Sequence, residues 1–206
     1  AAYNYALNLT KLGNDDAVRA VYEQIANSGQ EHPNSLYNLA LIHIEDDSFE
    51  TARTLLQRAL DADPNHQKAQ YNLGLVNFRE GKLKQAEEVI VSLVKSNPEY
   101  REGRFLLARI IDESGRKDEA IDLYRNLAEE EPPHPEAIYN VGLHELRNEQ
   151  YDRAVTWFKR ALTDRPDYTK AQYNLGLAYL RSKDDTRAEE AFGKLVLQVP
   201  TYFYAW

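Results

Sequence analysis

The 206-residue sequence contains no cysteine and no methionine. The absence of cysteine excludes disulfide bonds, thiolate metal ligands and cysteine nucleophiles. Methionine is missing even at the first position, so we expect the sequence to be an excised or processed piece of a longer protein. No stretch approaches the ~18 uninterrupted apolar residues of a membrane-spanning helix. We therefore expect no insertion into a membrane.

Basic residues are the minority charge, because 25 lysines and arginines stand against 33 acidic residues and give a net charge of −8. Proteins that bind nucleic acids usually carry a basic surface that neutralises phosphates. A nucleic-acid partner is therefore not expected, and neither is an anionic membrane surface. The composition is globular and fits a soluble protein of either the cytoplasm or the periplasm, so no compartment is assigned.

Patterns that bind metals or carry out catalysis are missing too. The five histidines do not have the spacing of metal ligands, and there is no glycine-rich phosphate loop, nucleophile elbow or zinc-hydrolase motif. Two acidic runs, at residues 45–47 and 129–131, are interpreted as solvated helix ends, because nothing there would bury the carboxylates and shift their pKa. We therefore expect no enzymatic activity, no cofactor and no metal.

What the sequence does contain is a period of 34 residues. The eight residues 68–75, Lys-Ala-Gln-Tyr-Asn-Leu-Gly-Leu, recur at 170–177, three periods later. Internal repeats of this length are typical of stacked helical arrays. The period appears in three further registers: alanine at 52, 86, 120, 154 and 188; proline at 64, 98, 132, 166 and 200; and alanine or glycine at 6, 40, 74, 108, 142 and 176.

Each period is predicted to form two helices. In residues 67–80, apolar side chains recur at helical spacing, and Gly81 then interrupts the pattern. Residues 83–96 carry a wide apolar stripe, and Pro98 ends it because proline disfavours helix at the residue before it. Gly74, in the middle of the first helix, costs about 1 kcal/mol relative to alanine. We expect close helix packing to offset that cost, with large residues of the second helix filling the next turn: Val21, Leu56, Ile90, Tyr124, Phe158 and Phe192.

This pattern resembles the tetratricopeptide repeat family over nearly the whole chain. The resemblance implies an all-α fold, a right-handed superhelical solenoid of stacked antiparallel helix pairs, as one domain over residues 1–206. Repeats are expected at about 33–66, 67–100, 101–134, 135–168 and 169–202. Residues 1–32 form an atypical repeat that caps the array, and residues 203–206 begin a further, truncated repeat.

The resemblance also implies that the first helix of each repeat lines a concave groove that binds a peptide or helix of a partner protein. Tyrosine and asparagine occupy the fifth and sixth positions of five of the six repeats, and leucine is frequent at the ninth. The predicted peptide-binding residues are Tyr37, Asn38, Leu41, Tyr71, Asn72, Leu75, Arg104, Phe105, Arg109, Tyr139, Asn140, Leu143, Tyr173, Asn174 and Leu177.

Each of these residue types has a structural alternative. An asparagine amide can pair with both backbone groups of an extended peptide, or it can bond within the fold while the tyrosine packs between repeats. The leucines can bind an apolar partner or be covered by neighbouring helices. Arg104 and Arg109 can anchor an acidic group or join an Arg–Glu or Arg–Asp network within the groove.

Three further functions were weighed. The carboxylate clamp of related chaperone co-factors needs basic residues at fifth positions and asparagine at ninth positions, and this chain has neither pattern, although Lys68 and Lys170 match one element. Binding of chaperone tails is therefore rejected. One alternative that stays open is an assembly role, with a possible homo-oligomer formed through Phe203, Tyr204 and Trp206 at the open C-terminal end. Another is a regulatory or targeting arm of an enzyme in a longer chain, for which only the expected truncation argues.

Overall fold

The structure, a computed structural model of the chain, describes residues 2–12, 14–29 and 32–198. These residues form twelve α-helices and no strand, as the periodicity predicts. The first helices of the repeats are α1 (Ala2–Lys11), α3 (Pro33–Glu45), α5 (Gln67–Arg79), α7 (Arg101–Glu113), α9 (Pro135–Arg147) and α11 (Thr169–Arg181). The second helices are α2 (Asp15–Asn27), α4 (Phe49–Ala62), α6 (Leu83–Ser96), α8 (Lys117–Glu129), α10 (Tyr151–Asp164) and α12 (Asp185–Gln198).

The helices group into two compact units, Ala1–Ser114 and Gly115–Trp206. In the first unit, α1 packs on α2, α3 on α4 and α5 on α6, and α7 packs on α6. In the second unit, α9 packs on α10 and α11 on α12, and α8 packs on α9. First helices also contact one another within each unit, as α5 does with α3 and α7, and α11 with α9.

The turn between the two helices of a repeat has one recurring backbone geometry. After α5, the Gly81 N–H donates to the Phe78 carbonyl, and the Lys82 N–H donates to the Asn77 carbonyl 2.9 Å away. Bonds of this kind satisfy carbonyls that the helix end leaves unpaired, and they need a left-handed residue just after the helix. The same left-handed position, with φ between 55° and 84°, is occupied at Asp47, Gly81, Gly115, Glu149 and Lys183.

Small residues in the first helices make room for the second helix of the same repeat. A Cβ atom on Gly142 would lie 2.6 Å from the Phe158 ring, and one on Gly176 would lie 2.6 Å from the Phe192 ring. A Cβ on Gly74 would likewise collide with Ile90. The predicted offset of the glycine cost by close packing is therefore confirmed at these three repeats.

Polar contacts of fixed sequence separation join neighbouring repeats. The Arg58 guanidinium donates to the Ala26 carbonyl at 2.7 Å, and Arg160 donates to the Ala128 carbonyl at 2.6 Å, both across 32 residues. Such bonds satisfy carbonyls in the last turn of a second helix. In the first unit, Arg53 of α4 also forms an ion pair with Glu80, which directly follows α5 in the next repeat.

In the first repeat, a side chain caps the second helix. Helix α1 covers Ala2–Lys11 and α2 covers Asp15–Asn27. The side chain of Asn14 caps α2 by accepting a hydrogen bond from the Ala17 N–H at 3.2 Å. Leu12, between the two helices, is 79% exposed.

Candidate functional site

The tyrosines at the fifth positions pack between neighbouring repeats. The Tyr37 ring lies 5.1 Å from the His66 ring, and the Tyr139 ring lies 5.0 Å from the Tyr168 ring, measured between ring centroids. Tyr71 meets Tyr100 edge-on at 5.7 Å. In each pair the second residue lies 29 positions after the tyrosine and directly before the first helix of the next repeat. The structural role that the sequence left open for these tyrosines is therefore present.

His66 has a structural role at one of these junctions. Its Nδ1 accepts a hydrogen bond from the Ala69 N–H at 3.2 Å and so caps α5. Its Nε2 then carries the hydrogen and donates to Oδ1 of Asn34, 3.1 Å away. His32 caps α3 in the same way, through the Ser35 N–H. Two of the five histidines are thus helix caps, a role that their place before a first helix could have suggested.

The sixth-position asparagines donate their amide hydrogens within the fold. Asn174 donates to the Tyr139 hydroxyl at 3.0 Å and to the Lys170 carbonyl at 2.9 Å. Asn72 repeats both bonds, with Tyr37 at 3.4 Å and the Lys68 carbonyl at 2.9 Å. An amide group has only two hydrogens, so these two side chains have no donor left. Within the described part of the chain, their Oδ1 atoms accept no hydrogen bond.

The other two asparagines of the predicted site, Asn38 and Asn140, differ. Asn38 donates to the hydroxyl of Tyr22, on α2, at 2.9 Å. Among the described residues, Asn140 makes no side-chain hydrogen bond, and it is half-buried. The residue 35 positions earlier is Phe105, which has no hydroxyl group, whereas Asn72 and Asn174 each have a tyrosine there. Asn140 is therefore the member of the series whose amide is not committed to a tyrosine.

Burial raises the pKa of the tyrosine hydroxyl groups in this region. Burial raises the pKa of Tyr71 and Tyr37, although the hydrogen bond from Asn72 opposes the rise at Tyr37. Burial also raises the pKa of Tyr100 and Tyr168 to about 12, with a further contribution from a nearby glutamate in each case. These hydroxyl groups are therefore neutral at physiological pH and available as hydrogen-bond partners.

The ninth-position leucines are partly accessible. Leu41 and Leu75 in the first unit, and Leu143 and Leu177 in the second, are all half-buried. Leu180, three residues after Leu177 on the same helix face, is 49% exposed. Neighbouring helices thus cover these side chains only in part, and an apolar surface remains on α9 and α11.

The repeat at 101–134 replaces the tyrosine–asparagine pattern. Arg109 is exposed, and its guanidinium lies 4.7 Å from the centre of the Phe78 ring on α5, a cation–π contact. The described residues give Arg109 no ion pair. Arg104 and Phe105 are half-buried on α7, and Leu106, at the asparagine position, belongs to the core.

The remaining predictions concern other parts of the molecule. Phe203, Tyr204 and Trp206 lie outside the described residues. In the described ranges no three His, Asp or Glu side chains are grouped so that they could hold a metal ion. None of the described helices combines the length and the apolar character needed to cross a bilayer.

Sequence reasoning missed two grooves that involve the second helices. We call them groove A, formed by α4, α5 and α6, and groove B, formed by α10, α11 and α12. Their volumes are about 510 Å³ and about 480 Å³. The signal that could have found them is the 34-residue period itself, because the lining residues recur at equivalent positions.

Comparison with known proteins gives one family. Two sequence profiles described as tetratricopeptide repeat match the chain, one at residues 4–66 and 139–201, the other at residues 43–110 and 78–141. No curated protein matches.

Similar solved structures share the fold at low sequence identity. The C-terminal part of a repeat-containing protein from Cytophaga hutchinsonii superposes with a TM-score of 0.75 at 17% identity, over 95% of this chain and 78% of that one. MamA from Desulfovibrio magneticus RS-1 superposes with a TM-score of 0.72 at 19% identity, over 84% of this chain and 97% of that one. YrrB, whose structure is described as having an unusual peptide-binding site, superposes with a TM-score of 0.66 at 19% identity, over 88% of this chain and 94% of that one.

Proposed function

We propose that this chain, which belongs to the tetratricopeptide repeat family, is a protein-interaction scaffold whose first helices bind a segment of a partner protein. The observation that carries the proposal is the apolar surface on α9 and α11. There Leu143 and Leu177 are half-buried and Leu180 is 49% exposed. Apolar side chains that stay accessible beside fixed polar groups are typical of a binding surface.

The asparagines support a narrower role than pairing with both backbone groups of a peptide. The amide hydrogens of Asn174 are already donated to Tyr139 and Lys170. Its Oδ1 atom remains as an acceptor, held in place by those two bonds. We infer that this oxygen accepts a hydrogen bond from the partner, and that the hydroxyl contact with Tyr139 orients it. Asn72 provides the same arrangement in the first unit.

The chemistry of the surface defines the partner segment. It needs N–H or O–H donors for the asparagine oxygens and apolar side chains for the leucines, which suits an extended peptide or an amphipathic helix. In the first unit, the exposed Arg109 adds a positive charge above Phe78. A partner segment that also carries an acidic residue would be favoured there.

The proposal is tested by selecting binders from a peptide library with the unmodified chain and measuring their affinity for variants. Leu177→Asp with Leu180→Asp places charge on the proposed surface and should weaken the selected peptides at least tenfold. The matched control is Leu197→Asp on α12, because Leu197 is 83% exposed and lies outside the proposed site. Peptides that bind all three proteins equally would refute the proposed surface, provided that circular dichroism shows the variants to be folded.

A further inference from the structure

Grooves A and B occupy equivalent places in two repeats that are three periods apart. Leu60, Gln70 and Leu73 line groove A, and their counterparts 102 residues later, Leu162, Gln172 and Leu175, line groove B. The two grooves therefore share an apolar floor and a similar volume. Any difference between them comes from the residues around that floor.

The net charges of the two groove linings have opposite signs. Groove A is lined by Asp61 and Glu88 and by no basic residue. Groove B keeps the counterpart of Glu88, which is Glu190, but adds three basic side chains, Lys159, Arg187 and Lys194. At the positions of Lys159 and Lys194, groove A has the uncharged Gln57 and Ser92. In a chain with a net charge of −8, groove B is thus a local positive surface.

An aromatic ring holds two of the cations at groove B. Tyr179 is only 5% exposed, and the Lys159 ammonium and the Arg187 guanidinium lie 5.6 Å and 4.9 Å from its ring centre. Contacts of this kind fix the position of a cation without neutralising it. The residue 102 positions before Tyr179 is Asn77, and the lining of groove A contains no aromatic residue.

The lysines at groove B have no acidic partner among the described residues. Arg187 forms an ion pair with Asp184, but the described residues give neither Lys159 nor Lys194 an acidic partner. Both side chains are exposed. Two unneutralised ammonium groups therefore stand at a groove whose floor is Leu162 and Leu175, and this combination is complementary to a ligand that is acidic and partly apolar.

We propose that groove B is a second interaction site, separate from the first-helix surface, that binds an acidic peptide segment carrying aliphatic side chains. The aliphatic side chains contact Leu162, Leu175 and Ala191, and the carboxylates pair with Lys159 and Lys194. A nucleic acid is a poorer fit, because a single groove with a glutamate in its lining cannot follow a phosphate backbone. The proposal goes beyond the binding role of the first helices, because groove B is lined by the second helices α10 and α12 and by residues of α11 other than Leu177 and Leu180.

The proposal is tested with a fluorescein-labelled peptide of glutamate and leucine, whose binding to the whole chain is followed by fluorescence anisotropy. Lys159→Gln with Lys194→Ser installs the groove A residues and should weaken binding at least tenfold. Gln57→Glu with Ser92→Glu lowers the net charge by the same two units at groove A and should leave binding unchanged. Affinity for the unmodified chain should fall as salt is added, because the attraction is between accessible charges.

Three further arms complete the test. A peptide of glutamine and leucine should bind at least tenfold more weakly, and the first-helix variant Leu177→Asp with Leu180→Asp should bind the acidic peptide normally. A short single-stranded RNA should not compete. The proposal is overturned if the acidic peptide fails to bind, if both pairs of charge variants weaken it equally, if the uncharged peptide binds as well, or if RNA displaces it.

Discussion

The ring of Phe158 lies 2.6 Å from the point where a Cβ atom on Gly142 would stand. Real Cβ contacts are not that short, so any side chain at position 142 would push the ring and α10 away from α9. Phe158 is fully buried, and protein interiors are close-packed, so we expect the ring to have little room to move. The glycine therefore sets how closely the two helices of this repeat approach each other.

Gly142→Ala should destabilise the protein although alanine is the better helix former. Overpacking of a buried site costs about 1–3 kcal/mol, which exceeds the ~1 kcal/mol of helix propensity that alanine gains. Urea unfolding measures the change. The control is Gly193→Ala on α12, where nothing lies within 4 Å of the added methyl group, so this variant should be more stable than the parent. Equal stabilisation by both substitutions would contradict the packing account.

Replacing a left-handed turn residue by glycine should stabilise the fold. Glu149 and Lys183 have φ angles of 60° and 62°, where a side chain costs about 1–2 kcal/mol. Glycine removes that cost but gains freedom in the unfolded chain, so Glu149→Gly should add roughly 0.5–1 kcal/mol. Gly81→Ala, at the equivalent turn with φ 73°, should change the free energy of unfolding in the opposite direction. Chemical denaturation of the two variants measures the sign of each change in the free energy of unfolding.

Acid should weaken the link between Arg53 and Glu80. The hydrogen bond from Arg53 holds the pKa of Glu80 below its ordinary 4.5, against the smaller opposing effect of burial. A carboxylate whose pKa is lower in the folded state stabilises the protein above the unfolded pKa, and that contribution is lost as the pH falls through the folded value. Glu80→Gln should therefore be less stable than the parent at pH 7, and the difference should shrink below about pH 4.5.

The matched control for this prediction is Glu189→Gln, because Glu189 is exposed on α12 and forms no ion pair among the described residues. Urea midpoints measured across the acid range should then coincide for the control and the parent. A gap between Glu80→Gln and the parent that stays constant from pH 7 to pH 3 would show that the ion pair is not the cause.

Alkali should unfold the protein through its buried phenols. The pKa values of Tyr100 and Tyr168 are raised to about 12 by burial, compared with an ordinary 10.0. Between these values the unfolded chain releases phenolic protons that the folded chain keeps, so stability falls as the pH rises from about 10 to 12. Tyr100→Phe combined with Tyr168→Phe should flatten that fall. Tyrosinate absorbance follows the ionisation, and unfolding midpoints measure how stability depends on pH. The same dependence in the double variant and the parent would show that these two tyrosines are not its cause.

The bond between Asn174 and Tyr139 should be measurable as a coupling energy. Asn174→Ala, Tyr139→Phe and the double variant form a thermodynamic cycle, and the expected coupling is about 0.5–1.5 kcal/mol. Asn140→Ala combined with Tyr173→Phe is the matched cycle, since Asn140 has no hydrogen bond to a tyrosine in the described structure. If both cycles gave the same coupling, the hydroxyl contact would not be its source.

The helix positions could be predicted from sequence because the period repeats the same physical signals. Residues 67–80 and 83–96 were expected to be helical, and the helices are Gln67–Arg79 and Leu83–Ser96. The roles of Gly74 and Gly142 followed as well, since a glycine inside a helix needs a packing reason. These inferences depend on the spacing of apolar residues and glycines along the chain, which can be read directly from the sequence.

The site was harder to predict because its roles depend on contacts between repeats. A Tyr-Asn pair looks the same in sequence whether the amide faces a ligand or a hydroxyl. Only the structure shows that Asn72 donates to Tyr37 and that its Oδ1 accepts no hydrogen bond from the described residues. The contact of Arg109 with Phe78 spans 31 residues and follows no motif. The charge contrast between the two grooves becomes visible only when residues 102 positions apart are seen to occupy equivalent places.

The polar links between repeats have fixed lengths along the chain: 32 residues from Arg58 to Ala26 and from Arg160 to Ala128, and 35 from Asn72 to Tyr37 and from Asn174 to Tyr139. Each link joins only a repeat and its neighbour. A duplication of one whole 34-residue block in the coding sequence would therefore copy the donors and acceptors together and leave the existing links intact. The array can lengthen in evolution without first solving a new folding problem, whereas a gain or loss of a few residues inside a block would break several bonds at once.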